Sequence, residues 1–187
     1  MVRVAVDAMG GDNAPGEIVK GCLLALQKSE EVKILLCGRE EILRQLVGQQ
    51  YPAERLEIVP ASEVIETGDV PVVSVRKKKD SSLVVGMKLI REERADAFVS
   101  AGNSGAILVG GQVLVGRLPG VERAPFAPLI PTEDGGVTLL LDSGANVDAK
   151  AAHLVQFAEM GSLYMEKALG IEKPRVAILN VGVEEEK

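Results

Sequence analysis

Aromatic residues are scarce in this chain: three Phe, two Tyr and no Trp make up 3% of its 187 residues. The core must therefore be assembled from Val, Leu, Ile and Ala, a composition that suits buried parallel strands flanked by helices. Cysteine is nearly absent too. Cys22 and Cys37 each lie inside an apolar segment and form no CxxC pair, and the single histidine, His153, has no nearby Cys or second His. That excludes a zinc site, and no other metal or cofactor is expected. No apolar run is long: the longest, Ala106–Val115, is too short to span a bilayer. The start, Met1-Val-Arg-Val-Ala-Val-Asp7, runs directly into a strand pattern without a signal peptide. A reducing cytoplasm is the expected location, with peripheral membrane association left open. Positive charge is also in deficit, with 21 Lys and Arg against 27 Asp and Glu and a net charge of −6, which argues against a nucleic-acid binder.

What is present is a folded protein. Hydrophobic residues make up 47% of the chain and the mean hydropathy is +0.17, values foreign to disordered chains. The length suffices for one large domain or two small ones.

The stretch Asp96–Gly111 holds the most concentrated signal. Ala97–Ser100 reads as a short buried strand, Ala101–Gly105 as a tight turn of small residues, and the run from Ala106 as a helix apolar almost all round. Such a strand–turn–helix places free N–H groups and the positive end of a helix dipole at a strand's carboxyl end, where a phosphate or oxyanion can bind. Ser100, Asn103 and Ser104 would add side-chain donors, and Gly102 and Gly105 would admit a ligand close to the backbone. An ordinary βα turn explains the same residues, with glycines serving positive φ and Ser or Asn serving as caps.

A similar unit opens the chain. The strand Val2–Val6 ends in Asp7 and leads through Gly10 and Gly11 to the helix-start signals Asp12, Asn13 and Pro15. Ile18, Val19, Cys22, Leu23 and Leu26 follow at helical spacing. This is not the dinucleotide-binding GxGxxG fingerprint, and capping accounts for Asp12 and Asn13 as readily as ligand binding does. Further along, the spacing predicts strands at Val32–Cys37 and Leu56–Val59, a helix at Glu40–Val47, a loop over Ala61–Val70 and a new segment from Pro71. The alternation predicts an α/β fold: a doubly wound, mainly parallel sheet with helices on both faces.

Arg76, Lys77, Lys78 and Lys79 form the one dense basic run. Such runs usually make a solvated face, yet in an acidic chain four cations beside a helix start also suit an anionic ligand or acidic partner. Asp80, Ser81 or Ser82 would cap a helix from Leu83 to about Glu93. After a polar loop at Arg117–Arg123, Phe126–Pro131 and Val137–Leu141 read as strands joined by the hairpin turn Thr132–Gly136. Asp142, Asn146 and Asp148 occupy the next loop, where they can cap it or offer oxygens to a cation. Ala151–Leu169 reads as an amphipathic helix with Leu154, Phe157, Ala158, Tyr164, Met165 and Ala168 along one side, His153 as a surface or capping residue, and Gly170 as C-cap. Arg175–Val181 reads as a last strand. The chain stops just past that strand, where this architecture places another active-site loop and helix. A single α/β region that is part of a longer polypeptide is therefore expected.

Val4-Ala-Val-Asp-Ala-Met-Gly-Gly-Asp-Asn-Ala-Pro15 resembles the start of the bacterial PlsX family, the acyl-ACP:phosphate acyltransferases. Arg76–Ser82, Ala97–Gly105, Leu141–Asp148 and Leu154–Gly161 resemble further segments of that family in the same order. The terminal Asn180-Val-Gly-Val-Glu-Glu-Glu-Lys187 departs from the family's Asn-Ile-Gly-Glu-Glu-Glu-x-Lys-Gly, with Val183 in place of an acidic residue. Family members are also nearly twice as long, so the remainder of their substrate groove lies outside this resemblance.

The resemblance implies a fold similar to the isocitrate/isopropylmalate dehydrogenases, a homodimer, and transfer of a long-chain fatty acyl group from acyl carrier protein to inorganic phosphate. It implies an acyl phosphate product for phospholipid synthesis. A thioester is already activated and phosphate is already anionic, so such chemistry needs little beyond positioning and an oxyanion site. On this reading Asn103, Asn180 and Lys187 are catalytic, and Gly10, Gly11, Asn13, Ser100, Gly102 and Ser104 bind phosphate. Asp7, Asp142 and Asn146 orient substrate, and Arg76–Lys79 meet the carrier protein. The alternatives are a short-chain phosphate acyltransferase using acyl-CoA and a non-catalytic binding or scaffolding subunit.

Overall fold

The computed structural model describes residues 1–48, 51–180 and 182 and divides into two compact units, Met1–Arg117 and Leu118–Lys187. In the first unit four parallel strands, β1 (Val2–Asp7), β2 (Val32–Gly38), β3 (Leu56–Pro60) and β4 (Ala97–Val99), form one sheet in the order β3-β2-β1-β4. Val2 lies opposite Val32, Ile34 opposite Leu56 and Val4 opposite Ala97. The helices are α1 (Gly16–Lys28), α2 (Glu40–Val47), α3 (Pro71–Lys77), α4 (Ser82–Arg91) and α5 (Ser104–Gly110), the last followed by a π-helical turn over Gly111–Val115.

The period of two along β1 and β2 sorts the core. Val6, Ile34 and Leu36 pack with Val19, Cys22 and Leu26 of α1 and Leu43 and Val47 of α2. Ala5, Leu35 and Cys37 point the other way, onto Leu89 and Ala95. Both sheet faces are thus covered, as uninterrupted Val/Leu/Ile strands require, and each fully buried aliphatic side chain contributes about 1.5–3 kcal/mol. Cys22 and Cys37 sit in the separate clusters on these two faces, both as free thiols. Burial pushes them up to about 11 and about 12 respectively.

Two sequence expectations change here. The strand at Ala97–Ser100 is not buried. It ends at Val99, which is 54% exposed, because among the described strands β4 has only β1 as a neighbour and forms the sheet's edge. The apolar run Ala106–Val115, read as one helix, is divided between the end of α5 and the π-helical turn. Only Ala106 and Gly110 are buried, and the π-helical turn closes with Gly116 N–H donating to the Gly111 carbonyl at 2.9 Å. A Cβ at Gly110 would overlap the Met87 sulfur, so this glycine lets α5 lie against α4. The α4 helix, expected from Leu83 to about Glu93, runs from Ser82 to Arg91, with the Ser81 hydroxyl accepting from Val84 N–H.

In the second unit β5 (Leu129–Pro131) and β6 (Val137–Leu139) pair antiparallel around the turn at Thr132–Gly136. The long helix α6 (Ala151–Leu169) ends on Gly170 in the left-handed region, φ 69°. Its buried stripe is His153, Phe157, Gly161 and Met165, while Leu154 and Tyr164, expected inside, are 40% and 46% exposed. The four-residue spacing centres the stripe on Gly161, where a Cβ would lie 2.5 Å from Leu141 Cδ1 and 3.5 Å from Leu139 Cδ2. The predicted strand at Arg175–Val181 does not form over its described part, Arg175–Asn180. Ile178 and Leu179 are 80% and 81% exposed there. A strand exists only through hydrogen bonds to a neighbour, and no described strand pairs with this segment.

Candidate functional site

The chain runs outward from β1 in one direction to β2 and β3, then returns to place β4 on the other side of β1. The strand order therefore reverses between β1 and β4. In open parallel sheets the crevice beyond the strands' carboxyl ends at such a reversal is where ligands bind. The two glycine-containing loops singled out in the sequence leave β1 and β4 at that point.

Asp7, the last residue of β1, is only 2% exposed. Its Oδ2 accepts from the Ser100 hydroxyl at 2.8 Å and its Oδ1 from Met9 N–H at 3.2 Å. The Ser100 oxygen in turn accepts from Gly102 N–H at 3.0 Å. The glycines are needed where these loops touch. A Cβ at Gly10 would overlap the Asp7 carboxylate and lie 3.1 Å from Gly102 Cα, and one at Gly102 would lie 3.2 Å from Gly10 Cα. Gly11 adopts φ +110°, with Ala101 O 3.0 Å from where its Cβ would be, a conformation that strains any other residue. Gly105, expected to admit a ligand, instead makes room for Pro71, whose Cγ would lie 2.6 Å from an added Cβ.

The N–H groups of Gly11, Asp12 and Asn13 after β1, and of Ala101 and Ser104 after β4, donate no hydrogen bond to any of the described residues. Asp12 and Asn13 are exposed and do not cap α1, which has no side-chain cap. The pair of loops thus offers unpaired backbone donors at one end of the sheet, the chemistry of an anion site.

Asn103 was expected to present its carboxamide to an oxyanion, and the structure gives that group other partners. Its Oδ1 caps α5 by accepting from Ala106 N–H at 2.9 Å. Its Nδ2 faces the carbonyls of Glu66 at 3.3 Å, Thr67 at 3.0 Å and Asp69 at 3.0 Å. The basic run is divided as well. Arg76, Lys77 and Lys79 are exposed, whereas the Lys78 ammonium turns inward to the Asp69 carboxylate and, at 2.7 Å, the Val64 carbonyl. That ammonium holds the Asp69 carboxyl below the usual carboxylate range. Two hydrogen bonds from Ser62 do the same for Asp80.

In the second unit, Asp142 accepts from Phe126 N–H and Asn146 N–H, both at 2.6 Å. The Asn146 carboxamide donates to Ala124 O at 3.1 Å, and Asp148 pairs with Arg123. These three side chains brace their own loop, and no group of three or more His, Cys, Asp or Glu able to hold a metal occurs among the described residues. His153 is buried and caps α6. Its Nδ1 accepts from Lys150 N–H at 3.0 Å, which leaves the proton on Nε2 to donate to Glu122 at 3.0 Å. Asn180 is exposed, its Oδ1 accepting from Gly182 N–H at 3.3 Å. Lys187 and Val183 lie outside the described residues.

Sequence reasoning missed the Asp7–Ser100 hydrogen bond and the Glu66–Asp69 turn that Asn103 and Lys78 hold. The first carried one faint signal, a polar residue ending each strand; the second carried none, because the segment reads as plain loop.

The fold and these loops define an α/β protein with a candidate anion site at the switch point of a parallel sheet. More particularly, the chain belongs to the fatty acid synthesis protein family, the PlsX family, whose model matches residues 2–187. It is 51% identical over 186 residues to the phosphate acyltransferase of Thermoanaerobacter pseudethanolicus, covering 100% of this chain and 55% of that protein. The phosphate acyltransferase of Brevibacillus brevis is likewise 51% identical with the same coverage. That of Halothermothrix orenii is 46% identical over 187 residues, all of this chain and 56% of the relative. The chain therefore spans about half the length of the curated relatives it matches. No helix among the described residues is long and apolar enough to cross a membrane.

Proposed function

We propose that this chain carries the phosphate-handling part of a phosphate acyltransferase that moves a long-chain fatty acyl group from acyl carrier protein to inorganic phosphate. The observation that carries the reading is the contact of the two glycine loops at the β1/β4 reversal, with unpaired N–H groups on both. The names of the relatives support phosphate as the acceptor.

In the proposed reaction a phosphate oxygen attacks the thioester carbonyl, forming a C–O bond and a tetrahedral oxyanion. The C–S bond then breaks, the acyl phosphate leaves, and the departing thiolate takes a proton from solvent. The N–H groups of Gly11, Asp12, Asn13, Ala101 and Ser104, in the loops that meet at Gly10 and Gly102, hold the phosphate and the oxyanion. Asp7 fixes Ser100, and Ser100 fixes Gly102, so the loop is preorganised before substrate arrives. Asn180 and Lys187 act on the substrate's charge, and Asp142 and Asn146 shape the loop that orients it. Arg76, Lys77 and Lys79 receive the acidic carrier protein. The working form is a homodimer in the cytoplasm, free to associate peripherally with a membrane.

Free thiol released from long-chain acyl carrier protein is the test. Release that depends on phosphate, with acyl phosphate formed in equal amount, is the expected result. Turnover with short acyl-CoA and none with the carrier-bound substrate would shift the assignment to the short-chain enzyme. No release with either donor would leave a binding subunit.

A further inference from the structure

We propose that Asn103 is a positioning residue which, together with Lys78, clamps the loop after β3 onto the start of α5 and so makes that loop the third wall of the candidate site. Four observations meet at this point. Asn103 is 7% exposed, and its carboxamide has no group left for a ligand: Oδ1 is taken by Ala106 N–H and Nδ2 by three carbonyls. Those carbonyls come from one turn, Glu66–Asp69, closed by Asp69 N–H donating to Glu66 O at 3.1 Å and Glu66 N–H donating to the Asp69 carboxylate at 2.9 Å. The Lys78 ammonium grips the same turn at the Asp69 carboxylate and its approach at the Val64 carbonyl. Finally, the turn belongs to the segment that leaves the carboxyl end of β3 and enters α3, the same end of the sheet from which the β1 and β4 loops leave.

The consequence for Asn103 is specific. A carboxamide with both hydrogens directed at main-chain carbonyls stabilises no oxyanion, but it sets where the first turn of α5 lies, and with it the free Ser104 N–H. Lys78, read from sequence as one of four carrier-facing cations, is a part of the fold and not of a docking face. Thr67 and Gly68, exposed at the tip of the turn, become the edge over which substrate enters.

The kinetic half of the test rests on the proposed phosphate acyl transfer; the exchange half does not. Asn103→Ala removes one arm of the clamp, and Lys78→Met and Asp69→Asn break the other from its two ends. Loss of one or two net hydrogen bonds opens a local equilibrium by about three- to tenfold, so amides of residues 64–70 exchange that much faster in all three variants while the sheet amides stay protected. In the acyl transfer assay all three raise KM for phosphate by a similar factor with kcat held within about twofold, the signature of lost binding and not of lost transition-state stabilisation. Asn103→Ala combined with Lys78→Met is less than additive, and Lys78→Arg restores the wild-type KM. A fall in kcat of about a hundredfold or more in Asn103→Ala alone, with Lys78→Met and Asp69→Asn unaffected, marks a direct oxyanion donor and overturns the proposal. Unchanged exchange over residues 64–70 in the variants also overturns it. An absence of phosphate-dependent turnover in the wild-type protein defeats the proposed function and leaves the exchange result to decide the clamp.

Discussion

The Ser100 hydroxyl donates to the Asp7 carboxylate at 2.8 Å, joining the ends of two adjacent parallel strands across 93 positions of sequence. Asp7 is 2% exposed, so its side-chain oxygens depend on the Ser100 hydroxyl and Met9 N–H, with little help from solvent. Ser100→Ala removes the stronger of these and leaves a buried carboxylate short of a donor, at a cost of about 1–3 kcal/mol. A urea unfolding midpoint that falls with an unchanged m-value is the expected result. An unmoved midpoint would show that the hydrogen bond contributes nothing net.

Gly10 and Gly16 are both glycines near α1, yet their surroundings differ. A Cβ at Gly10 meets the Asp7 carboxylate and Gly102 Cα, whereas nothing lies within 4 Å of one at Gly16. Gly10→Ala therefore destabilises by about 1–3 kcal/mol through overpacking and, on the proposed function, abolishes phosphate-dependent turnover by parting the two loops. Gly16→Ala stays within about 0.5 kcal/mol of wild type or gains slightly. Thermal unfolding of the two variants side by side checks the contrast.

The exposed cations predict a carrier effect separable from the clamp. If the proposed carrier-dependent transfer holds, Arg76→Glu with Lys77→Glu raises KM for acyl carrier protein, more at low salt than at high salt, because attraction between exposed charges is screened over about 10 Å at 0.1 M ionic strength. KM for phosphate is unchanged in the same variant. An unaltered KM for the carrier at every salt concentration would return these residues to a solvated surface.

Acid weakens one tie between β1 and the turn before β4. Arg3 donates to the Asp96 carboxylate through its guanidinium and its backbone N–H, and these bonds hold the Asp96 carboxyl down to about 2. A carboxyl depressed in the folded state stabilises above its unfolded value, about 3.9, and loses that stabilisation as pH falls from about 4 toward 2. Arg3→Met therefore lowers stability at neutral pH and flattens the acid limb of the stability profile between those values. Both partners are well exposed, so the change is small. Unfolding midpoints measured from pH 6 to pH 2 test it; parallel profiles for the two proteins would contradict the assignment.

Much of the fold was legible because its causes are local. The helix Glu40–Val47 and the long helix Ala151–Leu169 were read to the residue, since apolar spacing and a glycine C-cap, joined in the shorter helix by an acidic first turn, act within one or two turns. The strands read at Val2–Val6 and Val32–Cys37 each extend one residue further, to Asp7 and Gly38. Arg175–Asn180 carries the same apolar pattern and forms no strand, because pairing is a property of the neighbour and not of the segment. His153 reads as a surface or capping residue; it does cap α6 but is buried, not at the surface, and its place beside Glu122 depends on chain 31 residues away.

The candidate site divides along the same line. Sequence by itself determined an acidic, aromatic-poor α/β chain with glycine turns after its first and fourth strands, since turns, caps and periodicity are written in adjacent residues. Only the tertiary structure decided that those turns meet backbone to backbone at Gly10 and Gly102, that Asp7 is satisfied by Ser100, and that the Asn103 carboxamide is consumed by the Glu66–Asp69 turn. Which hydrogen-bonding group remains free for a ligand depends on partners brought from 34 to 93 positions away. A side chain's type states what it can donate; its packing determines to whom.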